Sequence, residues 1–127
     1  TTVVPLFPVT FVRRTAFAMI AWASVHRKSE PDATFLGFLP VIEEHASDSR
    51  NFVWKAVSWA LRAIGKRSIE LNEAAVSLSR ELMKATSQCA RRIGREALKE
   101  LSAEKTRAAI IRRTENQSKK RGGRPPG

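Results

Sequence analysis

Lys55, Trp59, Arg62 and Lys66 follow one another at spacings of four, three and four residues. On an α-helix that spacing puts all four on one stripe. Lysine and arginine hold phosphate oxygens, and an indole set between them offers a flat apolar face to a sugar or a base. A plainer alternative stays open for the same residues, in which Trp59 packs under a neighbouring helix and the cations form a solvated rim. Arg92, Arg95 and Lys99, spaced three and four, form a second basic stripe beside Arg91. Arg13 and Arg14 are adjacent, so on a helix they point roughly 100° apart. One can pair with an acid such as Asp48 while the other reaches a surface. Basic stripes on successive stacked helices line up into a groove.

Other reactive residue types are sparse. His26 and His45 fall at helix ends, and neither has a Cys or His at metal-ligand spacing, so no metal site is expected. Glu43 and Glu44 share a polar face. Asp48 is most simply a cap for the helix that follows it. Cys89, beside Ala90 in a helical pattern, reads as a small buried hydrophobe. Gly122-Gly123 has neither a preceding strand nor a following helix, so it is no phosphate loop. Trp22 belongs to an apolar set and is expected in the core. Trp54 lies between an apolar and a basic stripe, and its side stays open. No catalytic residue and no cofactor is assigned.

The charge balance fits a polyanionic partner. Among 127 residues, Lys plus Arg number 23 and Asp plus Glu 12, a net charge of +11. A ribosome-associated or membrane-surface protein would show the same total, so where the charge sits matters more. A single cysteine rules out a disulfide framework within the chain and suits a reducing, cytoplasmic setting. No apolar run approaches the roughly 20 residues that cross a bilayer. The segment 1–10 has no basic start and no small-residue cleavage site, and so does not read as a signal peptide.

Six helices must position these groups. Pro5 and Pro8 make 1–10 an irregular apolar segment. A first helix is expected from near Thr10 to His26, with Phe11, Thr15, Ala18, Met19, Trp22 and Val25 inward. A second runs from Asp32 to Ala46, capped by Asp32 or Ser29 and interrupted at Pro40, with Phe35, Leu36, Leu39 and Ile42 inside. The third, Arg50 to Lys66, has the clearest stripe: Phe52, Val53, Ala56, Val57, Ala60, Leu61 and Ile64. A fourth spans Ile69 to Lys84 and a fifth Ser87 to Leu101. Ser102 caps a short sixth helix that ends near Arg113. Phe11, Phe52 and Ile93 open similar segments 41 residues apart, the period of HEAT or armadillo units. The expected fold is therefore all-α, a HEAT-like (armadillo-type) superhelix of about six helices in three pairs over 11–113. The alternative is an antiparallel bundle. The tail 114–127 is expected to be a disordered basic end, serving either to hold phosphates or to keep the chain soluble.

Three stretches carry a family resemblance. They are Phe-Val-Arg-Arg-Thr-Ala-Phe-Ala at 11–18, Phe-Leu-Gly-Phe-Leu-Pro-Val-Ile-Glu at 35–43, and Ser-Arg-Asn-Phe-Val-Trp-Lys-Ala-Val-Ser-Trp-Ala-Leu-Arg-Ala-Ile-Gly-Lys-Arg at 49–67. With Ala-Arg-Arg-Ile-Gly-Arg-Glu-Ala-Leu-Lys-Glu-Leu at 90–101, the chain resembles the DNA alkylation repair family of the AlkD type. The resemblance implies stacked HEAT-like repeats and a basic concave surface that holds duplex DNA. It also implies excision of cationic N3- or N7-alkylated purines without flipping the base into a pocket. Trp59 matches a sugar-contacting tryptophan of the family, and Arg14 its backbone-holding arginine.

The family's catalytic aspartate and a second tryptophan lie on a helix upstream of the Arg-Arg helix. Only ten residues precede that point here, and they contain neither Asp nor Trp. The expectation is a truncated C-terminal portion that keeps the groove and not the carboxylate. It would bind double-stranded DNA carrying alkylated bases through Arg14, Lys55, Trp59, Arg62, Lys66, Arg92, Arg95 and Lys99, with little or no excision. No membrane contact is expected, and an exposed first helix could self-associate. A non-catalytic DNA-binding module and a protein-interaction solenoid are the competing readings.

Overall fold

Val53, Ala56, Val57, Ala60, Leu61 and Ile64 recur at helical spacing, and all are buried. They form the inner stripe of the central helix α3 (Asn51–Gly65). In a computed structural model the protein is described over residues 9–48 and 51–122, with side chains over 13–48 and 53–117. Around α3 stand α1 (Val9–His26), α2 (Asp32–His45), α4 (Ile69–Met83), α5 (Gln88–Leu101) and α6 (Glu104–Gly122). The described residues contain six helices and no strand, an all-helical fold.

The helices pack in a stacked order. α1 lies mainly on α3, and α3 lies on α5; α2 and α6 both lie on α4, which also touches α3 and packs closely on α5. Helices two apart in sequence are thus neighbours in space, and the consecutive pair α4 and α5 pack closely on each other as well. α1 and α3 run parallel: Arg13 meets Asp48 just before α3, while Ser24 and Val25 share a groove wall with Trp59, Arg62 and Ala63 near the other end. α3 and α5 are parallel too, with Trp54 against Arg92 at one end and Lys66 against Glu100 at the other.

Several boundaries differ from expectation, each for a local reason. α1 buries Phe17, Ala21 and Ser24 toward α3, whereas Met19, Trp22 and Val25 are exposed. Trp22 is therefore not core. This helix is apolar around most of its circumference, so periodicity does not choose a face; the small Ala21 and Ser24 let α3 approach, and the bulky side chains point away. α2 has Pro31 at its N-cap with no side-chain cap bond, because Asp32 is drawn instead to Arg67 and Ser68. The helix continues through Pro40, which is exposed. Ser68 and Ser87 do cap, accepting from the backbone N–H of Leu71 and Ala90. Ser102 closes α5 rather than opening α6, with its hydroxyl on the Leu98 carbonyl.

The sixth helix is longer than expected. The tail read as disordered from residue 114 is helical through Gly122; its Arg, Glu, Gln and Lys are good helix formers, and no glycine interrupts them before that point. Residues 123–127 lie outside the described residues. So do 1–8 of the segment read as irregular, while Val9 and Thr10 already belong to α1.

Two positions set how close the helices come. A Cβ on Gly94 would lie 2.5 Å from the Ser79 carbonyl oxygen and 3.0 Å from the Met83 nitrogen. Those are backbone atoms that cannot step aside, so α4 and α5 touch at a point only glycine permits. At the other end, buried Asn72 donates from Nδ2 to the carbonyls of Gly65 and Leu101 at 3.1 and 3.0 Å. One side chain thereby closes the C-terminal ends of α3 and α5 together. Gly94→Ala is expected to destabilise the protein by about 1–3 kcal/mol through overpacking, read as a lower urea midpoint with an unchanged slope.

Candidate nucleic-acid interface

The polar stripe of α3 forms one wall of an open groove of about 560 Å³. Trp59, Arg62 and Ala63 come from α3 and Lys66 from the turn just after it, Val25 and Lys28 from the end of α1 and the loop after it, and Arg113, Thr114 and Gln117 from α6. Trp59 is 46% exposed although Val57, Ala60 and Leu61 around it are fully buried. The alternative in which it packs beneath a neighbouring helix is thus not the arrangement formed. A half-exposed indole in a cationic groove keeps a flat apolar surface available to a ligand.

The floor is fixed by Arg67, whose side chain is only 8% exposed. Its guanidinium donates to the carbonyls of Ser24, Arg27, Lys28 and Glu30 and to Asp32 Oδ1 at 3.2 Å. It also stacks over the Phe35 ring, 4.2 Å from the centroid. Asp32 takes the Ser68 hydroxyl at 2.7 Å with its other oxygen. One planar cation thus gathers the joint between α1 and α2 and holds it against the end of α3. Sequence reading assigned Arg67 no role; its place directly after the α3 stripe gave no sign that it turns inward.

The expected site residues divide. Trp59, Arg62 and Lys66 meet in the groove. Lys55 is exposed on the same helix one turn earlier, and Arg14 is exposed near the start of α1. Of the adjacent arginines it is Arg13 that bonds Asp48, at 2.8 Å. Arg95 and Lys99 are exposed on α5, with no hydrogen bond or ion pair among the described residues. Arg92 is turned aside: it lies 4.5 Å over the Trp54 ring and bonds Glu96 at 3.1 Å. Lys28, Arg113 and Gln117 line the groove and were not foreseen.

Glu100 tempers the charge. From α5 it reaches Lys66 Nζ at 2.7 Å, and its second oxygen lies 3.5 Å from Arg62. That second oxygen is buried and has no hydrogen bond among the described residues. Phosphate would compete with this carboxylate for both cations. Cys89 borders a separate depression with Trp54 and Arg92. Burial, and then the nearby Asp48, push its thiol pKa up, against a smaller opposing pull from Arg92, so the thiol is not activated as a nucleophile. Among the described residues no group of three His, Cys, Asp or Glu is placed to hold a metal ion, and no helix is long and apolar enough to cross a membrane.

Residues 8–101, which include α3 and its exposed Trp59, match the family model described as DNA alkylation repair enzyme. The chain belongs to the DNA alkylation repair enzyme family. Searches of the curated proteins and of the solved structures returned no match. Membership in the DNA alkylation repair enzyme family places the chain in DNA repair, with DNA the natural substrate or partner. The match ends at Leu101, so α6 and the groove wall it supplies lie beyond it.

Replacing Glu100 by Gln is expected to tighten binding to an unmodified duplex about three- to tenfold at low salt, since Lys66 and Arg62 lose an internal competitor. The stability cost should stay below about 1 kcal/mol, because the three groups are partly solvated. Fluorescence anisotropy beside a urea melt checks both.

Proposed function

We propose that the chain serves DNA alkylation repair by holding duplex DNA that carries a cationic N3- or N7-alkylated purine, in the manner of the AlkD type. The observation that carries this reading is Trp59, half-exposed among Arg62, Lys66, Arg67 and Arg113 in one groove. In this reading the indole lies against a deoxyribose, and Lys55, Arg62 and Lys66 hold flanking phosphates. Arg14, Arg95 and Lys99 extend the footprint along the duplex. Arg92 joins it only by leaving Trp54 and Glu96. The stacked helical order supports a HEAT-like superhelix as the scaffold. The setting that fits is the cytoplasm, at the nucleoid when DNA is bound.

Excision of such a base requires no proton donor, because the leaving purine is already positively charged. It requires a carboxylate that stabilises the positive sugar and positions water. The acids nearest the groove are engaged: Asp32 with Arg67 and Ser68, and Glu100 with Lys66 and Arg62. The Glu30 carboxylate accepts from the Thr34 hydroxyl, at 3.3 Å, and the residue is exposed. These pairings favour a non-catalytic DNA-binding role for the chain. A protein-interaction solenoid is the third reading, and it predicts that neutralising Lys55, Arg62 and Arg95 leaves function intact.

The decisive assay is base release from duplex DNA containing N7-methylguanine, run beside binding to the same duplex. Binding without release is expected. Trp59→Ala should weaken binding by about 1–3 kcal/mol, the usual worth of an aromatic stacking contact. Release that depends on Trp59 would reverse the non-catalytic reading. Retention of full affinity by Trp59→Ala would remove the groove from consideration.

Met19, Trp22 and Val25 form an exposed apolar strip on α1, which supports self-association through that helix. Trp22→Lys should then shift a concentration-dependent dimer toward monomer in sedimentation equilibrium. An identical distribution for both proteins would dismiss the idea.

A further inference from the structure

α6 is anchored through its first half, and its residues 111–117 are exposed. Ile110 is its one buried residue among those with described side chains. Arg107 reaches Glu73 at 3.9 Å, and the Thr114 hydroxyl donates to the Ile110 carbonyl. Arg113 donates to the carbonyls of Lys66 and Arg67, where α3 ends. Arg113, Thr114 and Gln117 then face the groove across from Trp59 and Arg62. The helix continues to Gly122, and its sequence holds seven Lys and Arg against two Glu.

A helix this polar, with one buried side chain, gains little from packing on its own protein. Its backbone is nevertheless pinned to the wall of a basic groove, by an arginine whose donors satisfy the carbonyls at the end of α3. The charge increases toward its far end, with Lys119, Lys120 and Arg121 in sequence.

We infer that α6 is the second wall of the groove and a backbone clamp, which adds phosphate contacts to a duplex seated on α3. This rests on the reading of the groove as a DNA site and extends it to a helix outside the family match. Arg113 acts as the positioning residue that sets the angle between the two walls. Gln117 marks the inner face of the clamp. The occupant is a nucleic-acid backbone rather than an acidic protein surface, because the two walls converge on an aromatic between cations.

The test uses the full chain and an unmodified short duplex, with affinity measured across a salt series. Gln117→Glu, which puts a negative charge on the inner wall, should weaken binding about five- to tenfold. The joint replacement of Lys119, Lys120 and Arg121 by Gln should lower the slope of log affinity against log salt by about 2 to 3, because each phosphate neutralised by a cation adds about 0.9 to that slope. Circular dichroism controls for folding. If both α6 proteins bind like the parent while Lys55→Gln and Arg62→Gln bind weakly, the clamp is wrong and the groove stands. If none of the four changes binding, the groove reading has failed and the clamp falls with it. Loss of affinity for phosphatidylserine vesicles with unchanged duplex binding would also overturn the clamp, by giving the helix a membrane partner instead.

Discussion

The Arg67 guanidinium is the contact on which the arrangement of the groove depends. A nearly buried cation is costly unless its donors are satisfied. Here four loop carbonyls, one carboxylate and an aromatic face surround it. Those carbonyls belong to the end of α1 and the turn that follows, a polar stretch whose one apolar side chain, Val25, is exposed. The Ser68–Asp32 hydrogen bond ties the same joint to the end of α3, beside the arginine. Together they fix the positions of Val25 and Lys28 relative to Trp59.

The rest of the scaffold follows from how closely the helices approach. Gly94 admits the backbone of α4, and Gly65 lies with its α-carbon beside Leu101 and Ala75. Asn72 bonds across the same corner, to the carbonyls of Gly65 and Leu101. These contacts hold the far end of α5 against α3, and so deliver Glu100 to Lys66. The polar and apolar stripes of α3 are thus not independent. The packing on the buried side determines which charges face one another on the open side.

Much of this was legible in the sequence where one face was plainly apolar. The stripe expected on α3 is buried at Val53, Ala56, Val57, Ala60, Leu61 and Ile64. The stripe of Lys55, Trp59, Arg62 and Lys66 was visible for the same reason. α1 was not readable in this way, because apolar residues surround it and the deciding factor was the small size of Ala21 and Ser24. Long-range partners were hidden too. Nothing near Arg67 in sequence names the carbonyls it gathers, and nothing near Arg92 shows that Trp54 will hold it. The length of α6 was missed because a polar composition was read as disorder, although its residues are good helix formers.

Glu100 gives the groove a property that a count of cations does not. On the proposed DNA-holding reading, Glu100 is an anion already seated on Lys66 and Arg62, so binding a phosphate there is an exchange of one negative partner for another. A site filled by exchange gains little from any phosphate taken alone. What distinguishes one position on a polymer from the next is then left to the indole beside it. Such a surface would release ordinary stretches of DNA quickly and linger only where Trp59 finds a better fit, which favours rapid search over tight storage.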